Sequence, residues 1–195
     1  MFDFKNYIYD NDIIVQLGAN DGVRCEEYGL RHIMKNEGRN LQCHLVEPLP
    51  NVFESLKNNY KDSANDIHFY NLAIYNKDGE LNFYMNKDTV ASSFVINKDN
   101  STVIQVKTNT MKTFLKENNI SVIDCLFLDT EGVEDTIIKE LLSETSIRPR
   151  MIRYEFPHIK DNEELEDFIS SYGYRITRCR HMAGDKVCIR EDILS

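Results

Sequence analysis

The chain has 195 residues, 42% of them hydrophobic and 28% charged, with 8 glycines and 4 prolines. That composition excludes collagen-like, low-complexity and largely disordered chains and predicts one compact domain that buries about 70% of its unfolded surface. With 23 basic against 32 acidic residues the net charge is -9, which opposes nonspecific attraction to nucleic-acid phosphates and anionic lipid surfaces.

In chain order, Asp12 to Leu17 (DIIVQL) is a β-branched run ending at Gly18, suited to a first strand in a buried parallel sheet. Val23 to Glu37 places Leu30, Ile33 and Met34 at helical spacing before Gly38. Leu41 to Val46 forms the second strand, closed by Glu47, Pro48 and Pro50. Asn51 to Tyr60 carries Val52, Phe53, Leu56 and Tyr60 on one helical face, and Ile67 to Tyr75 follows as the third strand. The turn signal Asn76 to Gly79 predicts a hairpin between Ala73-Ile74-Tyr75 and Leu81 to Met85. Residues 86–101 read as a polar loop holding Ser92 and Ser93.

Val103 to Val106 precedes a helix over Thr110 to Asn118, which leads into a fourth core strand, Val122 to Leu128. Glu134 to Leu142 is a helix, Met151 to Phe156 the fifth core strand, and Glu163 to Ser171 a further helix. Tyr174 to Cys179 and Lys186 to Arg190 form a terminal hairpin around Met182 to Asp185. The alternation predicts a doubly wound, Rossmann-like α/β fold over residues 1–195. Its sheet is mainly parallel, closed at one edge by an antiparallel strand from that hairpin.

No run approaches the roughly 20 apolar residues of a membrane span, and residues 1–12 lack an apolar leader. The five cysteines, Cys25, Cys43, Cys125, Cys179 and Cys188, form no C-x-x-C pair. A reducing, cytoplasmic setting without membrane or nucleic-acid partners is expected. Cys43 and Cys125 read as core side chains.

Ligands in such sheets bind beyond the carboxyl ends of the strands, where strand order reverses. Four motifs fall there: Gly18 to Gly22 (GANDG), Glu47-Pro48, Asp129 to Gly132 (DTEG), and Glu155 to His158 (EFPH). A glycine turn lets backbone approach a ligand closely. Glu47, at the end of the neighbouring strand, can accept both hydrogen bonds of a ribose diol. Asp129 and Glu131 emerge together from a buried strand, with helix capping by Asp129 or Thr130 as the structural alternative. His158 follows the fifth strand and His181 sits in the terminal hairpin, whereas His32, His44 and His68 look structural.

The runs VQLGANDG (15–22), VEP (46–48), NLAI (71–74) before Asp78-Gly79, and LDTEGVE (128–134) resemble the FkbM-type methyltransferase family over roughly residues 12–156. These are class I enzymes that use S-adenosylmethionine. The resemblance implies that Gly18, Ala19, Asn20 and Gly22 surround the amino-acid half of the cofactor, with Asp21 nearby. Glu47, beside Pro48, holds the ribose, and Ala73 and Ile74 border the adenine. Gln16 stands where an acidic residue is commoner. The resemblance also implies that Ser92 and Ser93 lie in a loop that in similar proteins closes over the site, and that Asp129 approaches the cofactor's amino group or the reacting centre.

The implied reaction is O-methylation of a hydroxyl on a sugar, glycan or related small molecule by a monomer or homodimer. A hydroxyl acceptor needs a general base, for which Asp129, Glu131, Glu155 and His158 are the candidates. Asp129, Glu131 and Glu155 also offer hard oxygen donors suited to Mg²⁺. An NAD-type oxidoreductase is the alternative, although Gly18 to Gly22 lacks the G-x-G-x-x-G spacing. A binding module of the same fold without turnover is another.

Overall fold

Strands buried on both faces read as nearly continuous apolar runs, because neither side chain row meets water. The computed structural model describes residues 3–23, 30, 33, 38–86, 92–93, 101–180 and 182–194. The chain runs through β1 (Ile13–Leu17), β2 (Gln42–Val46), α1 (Pro50–Tyr60), β3 (Asp66–Tyr70), β4 (Ala73–Ile74), β5 (Gly79–Asn86), β6 (Ser92–Ser93) and β7 (Ser101–Asn109). It continues with α2 (Met111–Glu117), β8 (Cys125–Leu128), α3 (Glu134–Glu144), β9 (Met151–Glu155), α4 (Asn162–Ser171), β10 (Tyr174–Arg178) and β11 (Asp185–Arg190).

Seven strands form the main sheet in the order β10-β11-β9-β8-β1-β2-β3. β1 pairs in parallel with both β2 and β8, so strand order reverses between β1 and β8. β11 runs antiparallel to β9 and β10, and the terminal hairpin closes that edge as expected. On one face Val15, Leu17, Leu126 and Ile152 pack against Phe114 of α2, Ile137 and Leu141 of α3, and Leu165 of α4. On the other, Ile14, Cys43, Phe127 and Met151 pack against Phe4, Ile8, and Leu56 and Tyr60 of α1. Period-two alternation along each strand divides the two cores. The helix predicted over 23–37 lies outside the described residues except for Val23, which is an exposed bend, and Leu30 and Ile33, which are helical and buried.

The predicted third strand divides. Asp66–Tyr70 stays in the main sheet, whereas Ala73–Ile74 joins a second sheet of order β4-β7-β5-β6. Asn71 causes the break: its side-chain amide donates to the carbonyls of Glu47 at 2.9 Å and Pro48 at 3.0 Å, turning the chain out of the first sheet.

The predicted hairpin between 73–75 and 81–85 does not form, because β7 takes both partners. Ala73 and Ile74 pair in parallel with Thr108 and Asn109, and β5 pairs antiparallel with β7 from Gly79↔Thr108 to Asn86↔Ser101. Asp78 anchors the turn to α2 instead, accepting from the Thr110 amide at 2.7 Å and the Thr113 hydroxyl at 2.9 Å. Ser92–Ser93, read as loop, pairs as a short strand with Tyr84 and Met85 of β5. The rest of that predicted loop, 87–91 and 94–100, lies outside the described residues.

Cys43, Cys125, Cys179 and Cys188 are buried free thiols. His44 is buried, with Nδ1 2.8 Å from the Tyr70 hydroxyl. Among the described residues no helix is long and apolar enough to cross a membrane.

At the amino ends of the strands, Arg150 ties the first segment to the sheet. Its guanidinium donates to the Asp12 carboxylate and, at 3.0 Å, to the Tyr7 carbonyl, and lies 4.3 Å from the Tyr9 ring centroid. Asp12 is only 5% exposed. Arg150→Ala therefore strands a buried charge, and the expected cost is about 3–5 kcal/mol, a fall in Tm of roughly 10 °C by calorimetry. The Asp12→Asn/Arg150→Ala double variant should lose less than the single.

Candidate active site

The carboxyl ends of β1, β2 and β8 meet at Gly18. Its amide and that of Ala19 donate to the Val46 carbonyl at 3.0 and 2.9 Å, continuing the β1–β2 ladder past the strand ends. Gly18 sits at φ +75°, and a Cβ there would lie 1.8 Å from the Asp129 carbonyl oxygen. No other residue fits this position, on conformational and on spatial grounds. Gly22, at φ +70°, rests against the Tyr60 ring and Leu56. Between them Asn20 takes φ +50°, its side-chain oxygen accepting from the Asp21 amide at 2.7 Å. Asn59 of α1 donates to the Asp21 carbonyl at 2.8 Å and fixes the turn from below.

Glu47 closes one wall. It is 5% exposed, and its two carboxylate oxygens accept from the Asn20 amide at 3.0 Å and the Leu49 amide at 2.9 Å. Burial pushes its carboxyl up to about 7, against the pull of those two amides, with Asp129 and Asp21 adding repulsion. Each oxygen keeps a lone pair for a further donor. Pro48 is half-buried beside it. Leu49 packs on Ala73, Phe83 and Val106, which seats β4 beside the Glu47 turn, while Ile74 is engaged in the main core.

The opposite wall is acidic. Asp129 is open to solvent, but the crevice crowds it. Desolvation, then Glu131, Asp185 and Glu134, push its carboxyl up to about 6 against the opposing charge of Arg153. Glu131 takes φ +59° and sits with Oε2 3.2 Å from His158 Nε2. Glu155, at the end of β9, has Oε2 3.9 Å from the same nitrogen, and that buried oxygen has no hydrogen-bond partner among the described residues. Desolvation first, and then Asp129 and Glu131, push its carboxyl up to about 8. Burial raises Glu131 as well, with His158 opposing.

Of the residues anticipated from sequence, the structure thus brings Gly18 to Gly22, Glu47 and Asp129 into one group and Glu131, Glu155 and His158 into an adjoining one. Donor atoms of the latter three lie within 4.8 Å of one another, and Asp129 falls outside that trio. Gln16 is half-buried in mid-strand, in register with Leu45 and Phe127. Ser92 and Ser93 are placed through their backbone on β6, and His181 lies outside the described residues.

Sequence reasoning gave no role to Glu134, Asn59 or Asn71. For Glu134 the signal was present: a third acid, two residues beyond the glycine of the DTEG turn.

The crowd of acids has a cost above neutrality. A carboxyl held up at about 8 from its ordinary 4.5 binds its proton more tightly in the folded state, so the Glu155 contribution is present at acid pH. It is lost as pH rises from about 4.5 through about 8. Glu155→Gln removes that loss. Allowing for screening in a half-open crevice, the expected gain at pH 9 is about 1 kcal/mol, roughly 2–4 °C in Tm, with no gain at pH 4. Thermal melts of the two proteins across pH check it.

The family model described as the methyltransferase FkbM domain matches residues 16–176. No curated protein sequence matches the chain. Among solved structures, precorrin-6y C5,15-methyltransferase from Geobacter metallireducens is similar with a TM-score of 0.52 at 10% identity, over 95% of this chain and 83% of that one. Aeropyrum pernix fibrillarin, solved with natively bound S-adenosyl-L-methionine, is similar at 0.51 and 11% identity, over 93% and 67%. The citrinin polyketide synthase CMeT domain reaches 0.51 at 8% identity, over 92% and 46%. At such identities the likeness is one of fold, and the fold is that of class I methyltransferases. The match over residues 16–176 decides the family: the chain belongs to the methyltransferase FkbM domain family, and with it to the S-adenosylmethionine-dependent methyltransferases.

Proposed function

We propose that the protein transfers a methyl group from S-adenosylmethionine to a hydroxyl of a sugar, glycan or related small molecule, acting in the cytoplasm as a monomer or homodimer. The observation that carries the cofactor half is the 3.0 Å bond from the Asn20 amide to Glu47, which joins the glycine turn and the buried carboxylate into one preformed unit. The residues fit the group. Gly18 and Gly22 leave the turn bare for the amino-acid half, flanked by Ala19, Asn20 and Asp21, with Gln16 in the strand below. Glu47 retains lone pairs for a ribose diol, Pro48 lines that wall, and Ala73 and Ile74 flank the adenine side. This reading assigns Asp129 to the ammonium group and the Ser92–Ser93 segment to closing over the cofactor. Carboxylates on both walls suit a ligand that carries positive charge. When bound, the cofactor supplies an electrophilic sulfonium methyl.

The chain's own residues must then orient the acceptor and take its proton. Glu131, 3.2 Å from Nε2 of His158, favours the tautomer with the proton on that nitrogen. Nδ1 is then the basic atom. With the cofactor held there, His158 Nδ1 would take the acceptor hydroxyl's proton as the methyl's carbon–sulfur bond gives way to the new carbon–oxygen bond and the neutral thioether leaves, and Glu131 would balance the imidazolium charge. Glu155 completes the polar wall. A divalent cation such as Mg²⁺ is the second reading, favoured by the convergence of the Glu131, Glu155 and His158 donor atoms. Turnover abolished by EDTA and restored by Mg²⁺ would select it. An acidic chain without a basic aromatic stripe disfavours a nucleic-acid acceptor.

Labelled S-adenosylmethionine offered with free sugars, nucleotide sugars, glycans, small phenols and RNA tests the acceptor. Label on a carbohydrate or metabolite hydroxyl is the expected result. Label on RNA or on a protein side chain alone rejects the acceptor class, and failure to bind the cofactor rejects turnover itself.

Two sets of variants test the roles. Glu47→Ala should weaken cofactor binding by about 2–3 kcal/mol in calorimetry. In the intact protein affinity should rise with pH through about 7, as Glu47 ionises and both oxygens become acceptors. His158→Ala and Glu131→Gln should lower kcat by about 100-fold or more with cofactor affinity nearly unchanged.

A further inference from the structure

Glu134 is fully buried, at 0% exposure, and is the first residue of α3. An acid at that position ordinarily serves its own helix. Here it turns back onto the preceding loop. Oε1 accepts from the Thr130 amide at 2.6 Å and the Thr130 hydroxyl at 2.9 Å, and Oε2 accepts from the Gly132 amide at 2.9 Å. The two backbone donors flank Glu131 on either side.

Glu131 needs such a clamp. It is a non-glycine residue at φ +59°, followed by Gly132 at φ +109°. A left-handed conformation costs an ordinary residue about 1–2 kcal/mol and persists only where its surroundings impose it. The conformation has a consequence: it turns the Glu131 side chain to His158, 3.2 Å away. Gly132, meanwhile, packs 3.6 Å from the His158 carbonyl and 3.7 Å from its Cβ, measured to the position a Cβ would take. Thr130 and Gly132 are thus fixed by one carboxylate, and the residue between them has a single way to point.

We propose that Glu134 is a positioning residue for methyl transfer: it touches neither reactant and holds Glu131 in the backbone conformation that sets its carboxylate against His158. The inference rests on the reading of His158 as proton acceptor, and goes beyond it by assigning the cause of the geometry to a buried side chain outside the crevice surface.

The test has a structural and a kinetic arm. In a crystal structure of Glu134→Ala, Glu131 should leave the left-handed region and its carboxylate should lie beyond 4 Å from His158 Nε2. An unchanged Glu131 conformation and contact overturns the proposal. If Glu134→Ala does not fold, Glu134→Gln replaces it, since its amide nitrogen would face the Gly132 amide and lose that bond.

In the kinetic arm, with the acceptor found by the labelling screen, Glu134→Ala should lower kcat about 100-fold. KM for S-adenosylmethionine should change less than about threefold. In a His158→Ala background the same substitution should change kcat less than about twofold, because the route through His158 is already gone. An equal loss in both backgrounds marks a merely structural role and overturns the proposal. Full activity in His158→Ala alone defeats the proton-acceptor reading instead, and the crystallographic arm still decides the clamp.

Discussion

Two backbones touch where Gly18 meets Asp129, and the site is arranged around that contact. The Asp129 amide donates to the Leu17 carbonyl at 3.1 Å, and the Asp129 carbonyl occupies the space a Gly18 side chain would need. This closeness lets β1 and β8 remain paired to their last residues, at the point where strand order reverses. From there the glycine turn runs over the end of β2 to Glu47 and the acid turn runs over the end of β9 to His158. Any side chain at Gly18 would push the two walls apart, so the geometry of both depends on one missing Cβ.

The electrostatics follow from the same convergence. Strand ends that meet bring their carboxylates with them, and in a crowded crevice desolvation and mutual repulsion push Glu47, Asp129 and Glu155 well above the ordinary carboxylate range. A set of acids in this state is poorly compensated by the protein alone, since Arg153, the nearby cation, is paired with Asp185. A positively charged ligand relieves the repulsion, and sites that sacrifice stability in this way are commonly functional.

Several short polar residues decide how the chain leaves the sheet. Asn71 bonds two carbonyls of the Glu47–Pro48 turn, Asp78 holds Thr110, the residue that caps α2, and Glu134 clamps the acid turn. Each acts on a backbone that is near in sequence or becomes near only through folding. Local turn signals therefore misled at 73–85. Asn76 to Gly79 is a genuine turn, but which strands it joins depends on β7, whose residues lie more than twenty positions further along.

The alternation of apolar runs with helical periods, and the placement of GANDG, Glu47, DTEG and EFPH after strands, were legible in the chain, because burial on two faces and strand-end turns leave local signatures. The mainly parallel sheet and the terminal hairpin at its edge followed from general rules of connection, whereas the full strand order is read from the structure. Only tertiary structure could split β3 from β4 and set Glu134 beneath Glu131. It alone placed the carboxylates of Glu131 and Glu155 on one imidazole nitrogen while leaving Asp129 outside that trio. The reason is physical: periodicity reports which residues avoid water, whereas the distance between side chains on separate strand ends is set by how backbones pack, down to a single absent methyl group at Gly18.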